Sequence, residues 1–464
     1  MSHTLPLPTV SARRLRRHAR LALLAAIAGV VVGVASWTFL EGLDWATRTR
    51  LAHPVLIWFL PIAGLVTGVA YHRFGGRAGE GNNLLLGEIH EPSTWVPRRM
   101  APMVAIATVV SHLFGASVGR EGTALQMSGS LTDLLNRTAR VDKEDRRVLL
   151  IAALGGGFGA VFGVPWAGLV FGLEVQSIGR WRSRLALGRH PGRAAASPSR
   201  ADHSADDPGD DDLAESPSRA ATRTPARLRA AVVPTAIASF VGAAVVEGLG
   251  HHEAARRQFA GTIDVRLLLT ALAIGAAAGL TAIVFVGLTD AIRDRLTRLV
   301  TWPPLRPLLG GIAVVALASI VGRQYLGLSL HLGDAALDGA TTSFADPGWK
   351  LLLTALCIGT GFIGGEVTPM FVMGATLGGA VAHVCGVDPA VGASIGFASV
   401  FCGAANAPIA CTVLAIEVFG ARMGVPAGVA CAAAFVASGR YGVYHHRPHP
   451  EEADPATATA QGTG

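Results

Sequence analysis

Apolar runs long enough to cross a bilayer recur along this chain: Leu21 to Leu40, Pro54 to Tyr71, Val148 to Val175, Ala231 to Leu249, Leu267 to Leu288, Leu308 to Tyr325 and Met423 to Ser438. A spanning helix needs about 20 apolar residues, fewer if it is broken or re-entrant. A soluble core helix explains one such run but not the series. The chain therefore reads as an all-α polytopic membrane protein. Charge usage agrees: 15% of residues are charged, against roughly 25% in soluble domains.

The net charge of +7 has a local source in "ARRLRRHAR", Ala12 to Arg20. Nucleic-acid binding is one reading of such a cluster. With an apolar span directly after it, cytoplasmic retention is the better one. A signal peptide fits less well, because the apolar run is long and no small-x-small cleavage site follows. The cysteines, Cys357, Cys385, Cys402, Cys411 and Cys431, show no CxxC spacing and read as buried thiols rather than a metal site or disulfide framework. Many of the 57 glycines lie inside apolar runs, which suits close helix packing and broken helices.

From Arg180 to about Arg229 the chain is rich in Pro, Ser, Asp and Arg and has few large apolar residues. Such a segment cannot bury enough surface to offset its ordering entropy and is expected to be a disordered cytoplasmic loop. Residues 445–464 are expected to be a disordered tail, whose histidines read as solvated rather than metal-binding. The organisation is then a basic N-terminus (1–20), a first membrane repeat (21–179), the loop (180–229), a second repeat (230–444) and the tail.

The two halves look alike. "FGAVFGVPWAGLVFGLEV" (Phe158 to Val175) lies without gaps on "FCGAANAPIACTVLAIEV" (Phe401 to Val418), matching Phe158 with Phe401, Pro165 with Pro408 and Glu174 with Glu417. Upstream, "GREGT" (Gly119 to Thr123) lies on "GGEVT" (Gly364 to Thr368), matching Glu121 with Glu366 and Thr123 with Thr368. Two blocks in one order at nearly one offset indicate an internal duplication. Such repeats in transporters are often inverted, with the site between them near the midplane.

Each repeat carries a Gly-rich break before a further apolar stretch. Glycine permits the break, and a helix starting there points its positive end into it. Two such ends make an anion site with few full charges. Packing alone explains the glycines but not the recurring Glu and Thr. Glu121 in the first break is either an anion gate that titrates or a structural carboxylate paired with Arg120. Glu366 either works beside the site or fixes its break by a hydrogen bond. A third break, "AGEGNNLLLGEIHEP", sets Asn82 and Asn83 at a helix start, as caps or as amide donors to an anion. Glu174 and Glu417 read as structural, and His112 and His383 as satisfied polar residues near the bundle.

These motifs, in this order, resemble the CLC chloride channel and transporter family, from about Leu21 to Tyr444 apart from the loop. The resemblance implies a fold of two inverted repeats whose broken helices meet at a midplane anion site. Chloride-type members carry GSGIP, GKEGP, GGIFAP and a late tyrosine. Glu121 falls on the external gating glutamate, and Tyr444 on the late tyrosine, with Tyr441 as runner-up. EGNNLL replaces GSGIP, GGEVTP replaces GGIFAP, and Val175 stands where chloride/proton exchangers have an internal glutamate. These departures are similar to the fluoride/proton antiporter branch.

The resemblance implies a transporter rather than an enzyme, with no cofactor and no metal. Glu121 is the expected proton-coupling gate. Asn82, Asn83, Gly119, Arg120, Gly122, Val367, Thr368 and Tyr444 are the expected anion-binding set, with Glu366 as a secondary candidate. Fluoride, which is small and strongly hydrated, needs close donors such as an Asn amide, the Thr368 and Tyr444 hydroxyls and helix-end amides. The expected partners are fluoride or chloride, protons, lipid and a second copy, with no nucleic acid. The expected location is a bacterial inner membrane with both termini cytoplasmic. A chloride/proton exchanger or passive anion channel is the alternative. A membrane scaffold using residues 180–229 gives no reason for the paired breaks.

Overall fold

A computed structural model of the chain describes residues 12–177, 217–252, 258–439 and 442–443, with side chains in the helix from 217 described from residue 228 on. Among them all regular elements are helical. The first repeat holds α1 (Ala12–Ala52), α2 (Leu60–Phe74), α3 (Asn82–His90), α4 (Met100–Leu113), α5 (Glu121–Thr138), α6 (Lys143–Phe162) and α7 (Pro165–Glu174), with α8 (Pro217–Gly248) following. The second holds α9 (Val265–Leu299), α10 (Leu305–Val321), α11 (Leu330–Leu337), α12 (Ala345–Thr360), α13 (Val367–Val384), α14 (Pro389–Ala405), α15 (Pro408–Phe419) and α16 (Gly424–Ser438).

Six of the described helices are long and apolar enough to cross a membrane: Ala12–Ala52, Pro54–Phe74, Leu228–Gly248, Val265–Leu299, Val367–Val384 and Ala421–Ser438. Two sequence expectations change. Val148 to Val175 is not one span, because Gly163 takes a left-handed conformation (φ 64°) and Pro165 opens a new helix. Residues 217–229, assigned to a disordered loop, belong to α8. Alanine, arginine and leucine there favour a helix; the lack of apolar residues opposes burial, not helicity. Ala12 to Arg20 is likewise the start of α1, tied down where Arg17 pairs with Asp145 (2.6 Å) and Arg20 donates to Ala139 O (2.7 Å).

The duplication is visible in how the helices stop and start. α6 begins on Asp142, whose side chain accepts from Asp145 N, and ends at Gly163 before Pro165. α14 begins on Asp388, whose side chain accepts from Ala390 N, and ends at left-handed Asn406 (φ 56°) before Pro408. The acidic cap, left-handed stop and proline at the first turn are the ordinary punctuation of helices, used twice in register.

Equivalent residues also meet in space. The rings of Phe158 and Phe401 lie near-parallel, centroids 6.1 Å apart, within a buried cluster that includes Phe171 and Phe371. Glu174 accepts from Ile409 N (3.1 Å) and Ala410 N (2.6 Å), while Glu417 accepts from Trp166 N (3.1 Å) and Ala167 N (2.9 Å). Each repeat thus satisfies the free N–H groups that open the other's short helix. α13 and α14 pack backbone against backbone: a methyl on Gly374 would collide with the Gly396 carbonyl, the close approach that small residues allow in membrane bundles.

A buried ion cluster joins the ends of the helices that carry the site. Arg146 on α6 forks onto Asp133 of α5 (Nε to Oδ1 2.6 Å, Nη2 to Oδ2 2.8 Å) and reaches Glu88 of α3 (3.1 Å). Glu88 also accepts from Ser93 and Thr94, and Arg146 lies 4.8 Å from the Trp95 ring centroid. This fixes α3 against α5 at the ends opposite Asn82 and Glu121.

Candidate anion site

The two Gly-rich breaks pair with each other. Gly365 N donates to Gly119 O (2.8 Å) and Gly119 N donates to Gly365 O, a single antiparallel bridge between repeats. Only glycine permits this. A Cβ on Gly119 would stand 2.8 Å from Pro369 Cδ and 3.0 Å from Gly365 O, and one on Gly122 would stand 3.1 Å from Gly365 Cα. The bridge brings the N-termini of α5 and α13 together.

Glu121 opens α5 and is buried, with 1% of its surface exposed. Its carboxylate reaches across to the opposite repeat as well as back to its own N-cap. Oε2 accepts from Thr368 N (2.9 Å) and Oε1 accepts from the Thr368 hydroxyl, 247 residues away on α13. Arg120 adds its backbone N–H (3.2 Å) and Nε (3.3 Å). The carboxylate thus holds backbone N–H, hydroxyl and guanidinium donors at a helix N-terminus, the set a small anion seeks. In this geometry Glu121 pairs with Arg120 and also accepts from the helix-end N–H and hydroxyl of Thr368.

The repeat is broken at this point. Thr123, the counterpart of Thr368, shares a hydrogen bond with Thr108 (2.7 Å) instead of reaching Glu366. Glu366 stands at the N-cap of α13, buried, with Oε2 3.8 Å from the place of a Gly122 Cβ. Among the described residues, Glu121 but not Glu366 accepts a hydrogen bond from the opposite repeat.

Asn82 and Asn83 are the first two helical residues of α3, after an N-cap at Gly81 (φ 63°) that makes no side-chain cap bond. Neither amide is therefore the cap. Asn82 is half-buried and its Nδ2 lies 3.3 Å from the place of a Gly122 Cβ, while its Oδ1 is buried without a partner among the described residues. Asn83 is exposed. Successive helical residues point about 100° apart, so one amide faces the breaks and its neighbour does not. Val367 is fully buried in the first turn of α13. Tyr441 and Tyr444 lie outside the described residues.

Two histidines differ from expectation. His112 is buried, its Nδ1 2.8 Å from Thr108 O, but its Nε2 has no partner among the described residues. His383 is exposed in the last turn of α13 rather than held in the bundle. Of the thiols, Cys385 is half-buried and the other four are buried.

The sequence profile of the voltage gated chloride channel family matches residues 63–188 and 225–439. The chain belongs to this family, the CLC proteins. It is 39% identical over 451 residues to the chloride/fluoride channel protein of Pseudomonas syringae pv. tomato, covering 92% of this chain and 88% of that one. Its fold is similar to the crystal structure of a CLC-type fluoride/proton antiporter (TM-score 0.79, 27% identity, 94% and 98% of the two chains). It also resembles a slow cyanobacterial Cl−/H+ antiporter (TM-score 0.71, 18% identity, 91% and 96% covered), a likeness of fold alone. The CLC architecture of inverted repeats around broken helices is thus the architecture of this chain. Val175 is apolar and buried, and the carboxylate one residue earlier, Glu174, is committed to the N-terminus of α15.

Proposed function

We propose that this CLC protein is a fluoride/proton antiporter that exports cytoplasmic fluoride in exchange for protons. The observation that carries the reading is the Glu121 carboxylate seated on the N–H and hydroxyl of Thr368. An ionised carboxylate there is satisfied by the donors an anion needs. Once protonated it has lost its charge, binds the helix end weakly and leaves. An arriving anion and an arriving proton favour the same displaced state, and that shared state couples the two fluxes.

Several residues complete the proposed path. Thr368 and Asn82 supply discrete dipoles close to the break, which suits a small ion that must exchange tightly held water for close donors. Asn83 has no part in it. Glu366, beside Gly122, is the second carboxylate available to carry a proton towards Glu121. The protein works as a homodimer with one pore per subunit, in a bacterial inner membrane with both termini cytoplasmic, as the family resemblance implies. A chloride/proton exchanger or an anion channel is the second reading, the channel favoured by the name of the Pseudomonas syringae relative, a chloride/fluoride channel protein.

The deciding experiment is anion efflux from liposomes holding the purified protein, comparing fluoride with chloride while recording external pH. Fluoride efflux well above chloride efflux, with proton movement in the opposite direction, is the expected result. Equal rates for both ions point to the exchanger, and anion efflux without proton movement points to the channel.

A further inference from the structure

Lys350 lies in the middle of an apolar run, "GWKLLLTALC", and is completely buried on α12. Among the described residues no carboxylate pairs with it. Its Nζ instead meets four neutral oxygens: Ser117 Oγ (3.0 Å), Tyr325 O (3.1 Å), Gly327 O (2.7 Å) and Ser329 Oγ (3.0 Å). Two of these are carbonyls, which only accept. Ser329 gives its own hydrogen to Leu326 O (3.3 Å), so towards Lys350 it accepts as well. Three acceptors use three N–H bonds, the number an ammonium has and a neutral amine lacks.

The surroundings are arranged around this ammonium. Ser329 takes a left-handed conformation (φ 57°, ψ 34°) that a serine adopts at a cost, and its hydroxyl is thereby aimed at Nζ. Ser117 is also bonded to Thr354 (2.9 Å), one turn along α12 from Lys350, and its N–H donates to Cys357. A second cation, Arg50, flanks the same loop: a Cβ on Gly327 would stand 2.8 Å from its Nη2, and its Nε is buried without a partner among the described residues. The other titratable neighbours are His112, His331 and Cys357. Among the described residues the charge thus has no direct counter-ion.

Ser117 stands four residues before Glu121, a stretch of at most about 14 Å. We propose that Lys350 is a positioning residue for transport. Its ammonium holds the loop that leads into the first break and adds a second positive charge, behind the Arg120 guanidinium that meets Glu121 directly, to the field at the Glu121–Thr368 site. It can do this without holding the anion, because its own donors are filled by protein oxygens. A unit charge about 14 Å from an anion, at an effective dielectric near 20, changes its affinity on the order of tenfold.

The proposal rests on anion transport through this site, and the test separates the two. Fluoride efflux from liposomes is measured against internal fluoride for the parent, Lys350→Gln and Lys350→Met, with size-exclusion chromatography as the check on folding. Both variants remove the charge, and Gln keeps two donors for the carbonyls. The expected result is a half-saturating fluoride concentration raised about tenfold, with a smaller change in maximal rate. A folded variant with the parent's half-saturation, whatever its thermal stability, makes Lys350 a structural residue only and overturns the proposal. If neither variant is monodisperse, Ser117→Ala and Ser329→Gly decide, since each removes one acceptor and lets the ammonium shift. A rise of about threefold in half-saturation is expected, and parent values in both overturn the proposal. A parent protein that moves neither fluoride nor chloride defeats the transport reading itself.

Discussion

Replacing Thr368 by valine keeps the branched shape of the side chain and removes one hydroxyl from the docked Glu121 carboxylate. A hydrogen bond to a charged acceptor is worth about 1.5–3 kcal/mol, which is roughly 10- to 140-fold in affinity. The background decides whether that loss is seen. With Glu121 ionised, fluoride enters only as the carboxylate leaves, and both use the same hydroxyl. The exchange then loses nearly equal amounts on its two sides, so the apparent fluoride affinity of Thr368→Val moves by about threefold or less by that cancellation. In a Glu121→Gln background the competitor is a neutral amide that gains little from the helix end, so the full loss of at least about tenfold emerges. The assay is calorimetric titration of detergent-purified protein with fluoride, with Thr368→Val in both backgrounds. Equal tenfold losses in both would mean that carboxylate and anion do not share this donor. No loss in either would remove Thr368 from the site.

Arg146→Met leaves Asp133 buried without its cation and Glu88 with only the longer pair to Arg77 (3.4 Å); a destabilisation of about 3 kcal/mol is expected, read as a lowered unfolding temperature and loss of monodisperse protein. Glu417→Gln keeps one of the two acceptor oxygens at Trp166 and Ala167, so it should cost about 1 kcal/mol and leave the proton-to-fluoride ratio in liposomes at the parent's value. Asn82→Ala is expected to lower fluoride-over-chloride selectivity in paired efflux traces, while Asn83→Ala leaves both traces unchanged, because only Asn82 faces Gly122.

Patterns made by local rules were legible in the sequence. The Gly-rich breaks, the doubled proline-opened helices and the Glu–Thr spacing are short-range features, and two copies made each more certain than one. The apolar runs gave the class of fold but not every boundary. Val148 to Val175 is apolar throughout, so hydropathy passes over the left-handed turn at Gly163. Val367–Val384, the helix that receives Glu121, stands out in the sequence by its GGEVT motif rather than by its hydropathy. Contacts across the repeats were beyond local reasoning. Glu121 and Thr368 were both singled out, yet nothing in their neighbourhoods says that one accepts from the other. The choice between Asn82 and Asn83 depends on helix phase, which begins only at Gly81. A lone lysine in an apolar run, such as Lys350, carries no local sign of its partners; all four belong to other segments, one of them 233 residues away. The same holds for Arg146, whose partners Glu88 and Asp133 lie on other helices.

Proton uptake into weakly buffered liposomes under an imposed fluoride gradient, compared between the parent and Glu121→Gln, tests the central claim most directly. Gln keeps the length of the side chain and one oxygen for Thr368 N, so the protein should remain folded by size-exclusion chromatography. It cannot exchange a proton, so fluoride-driven proton movement should fall to the level of empty liposomes while the parent takes up protons as fluoride leaves. Glu121→Gln that still moves protons at the parent's rate would contradict the account, and Glu366 would then be the carboxylate to examine.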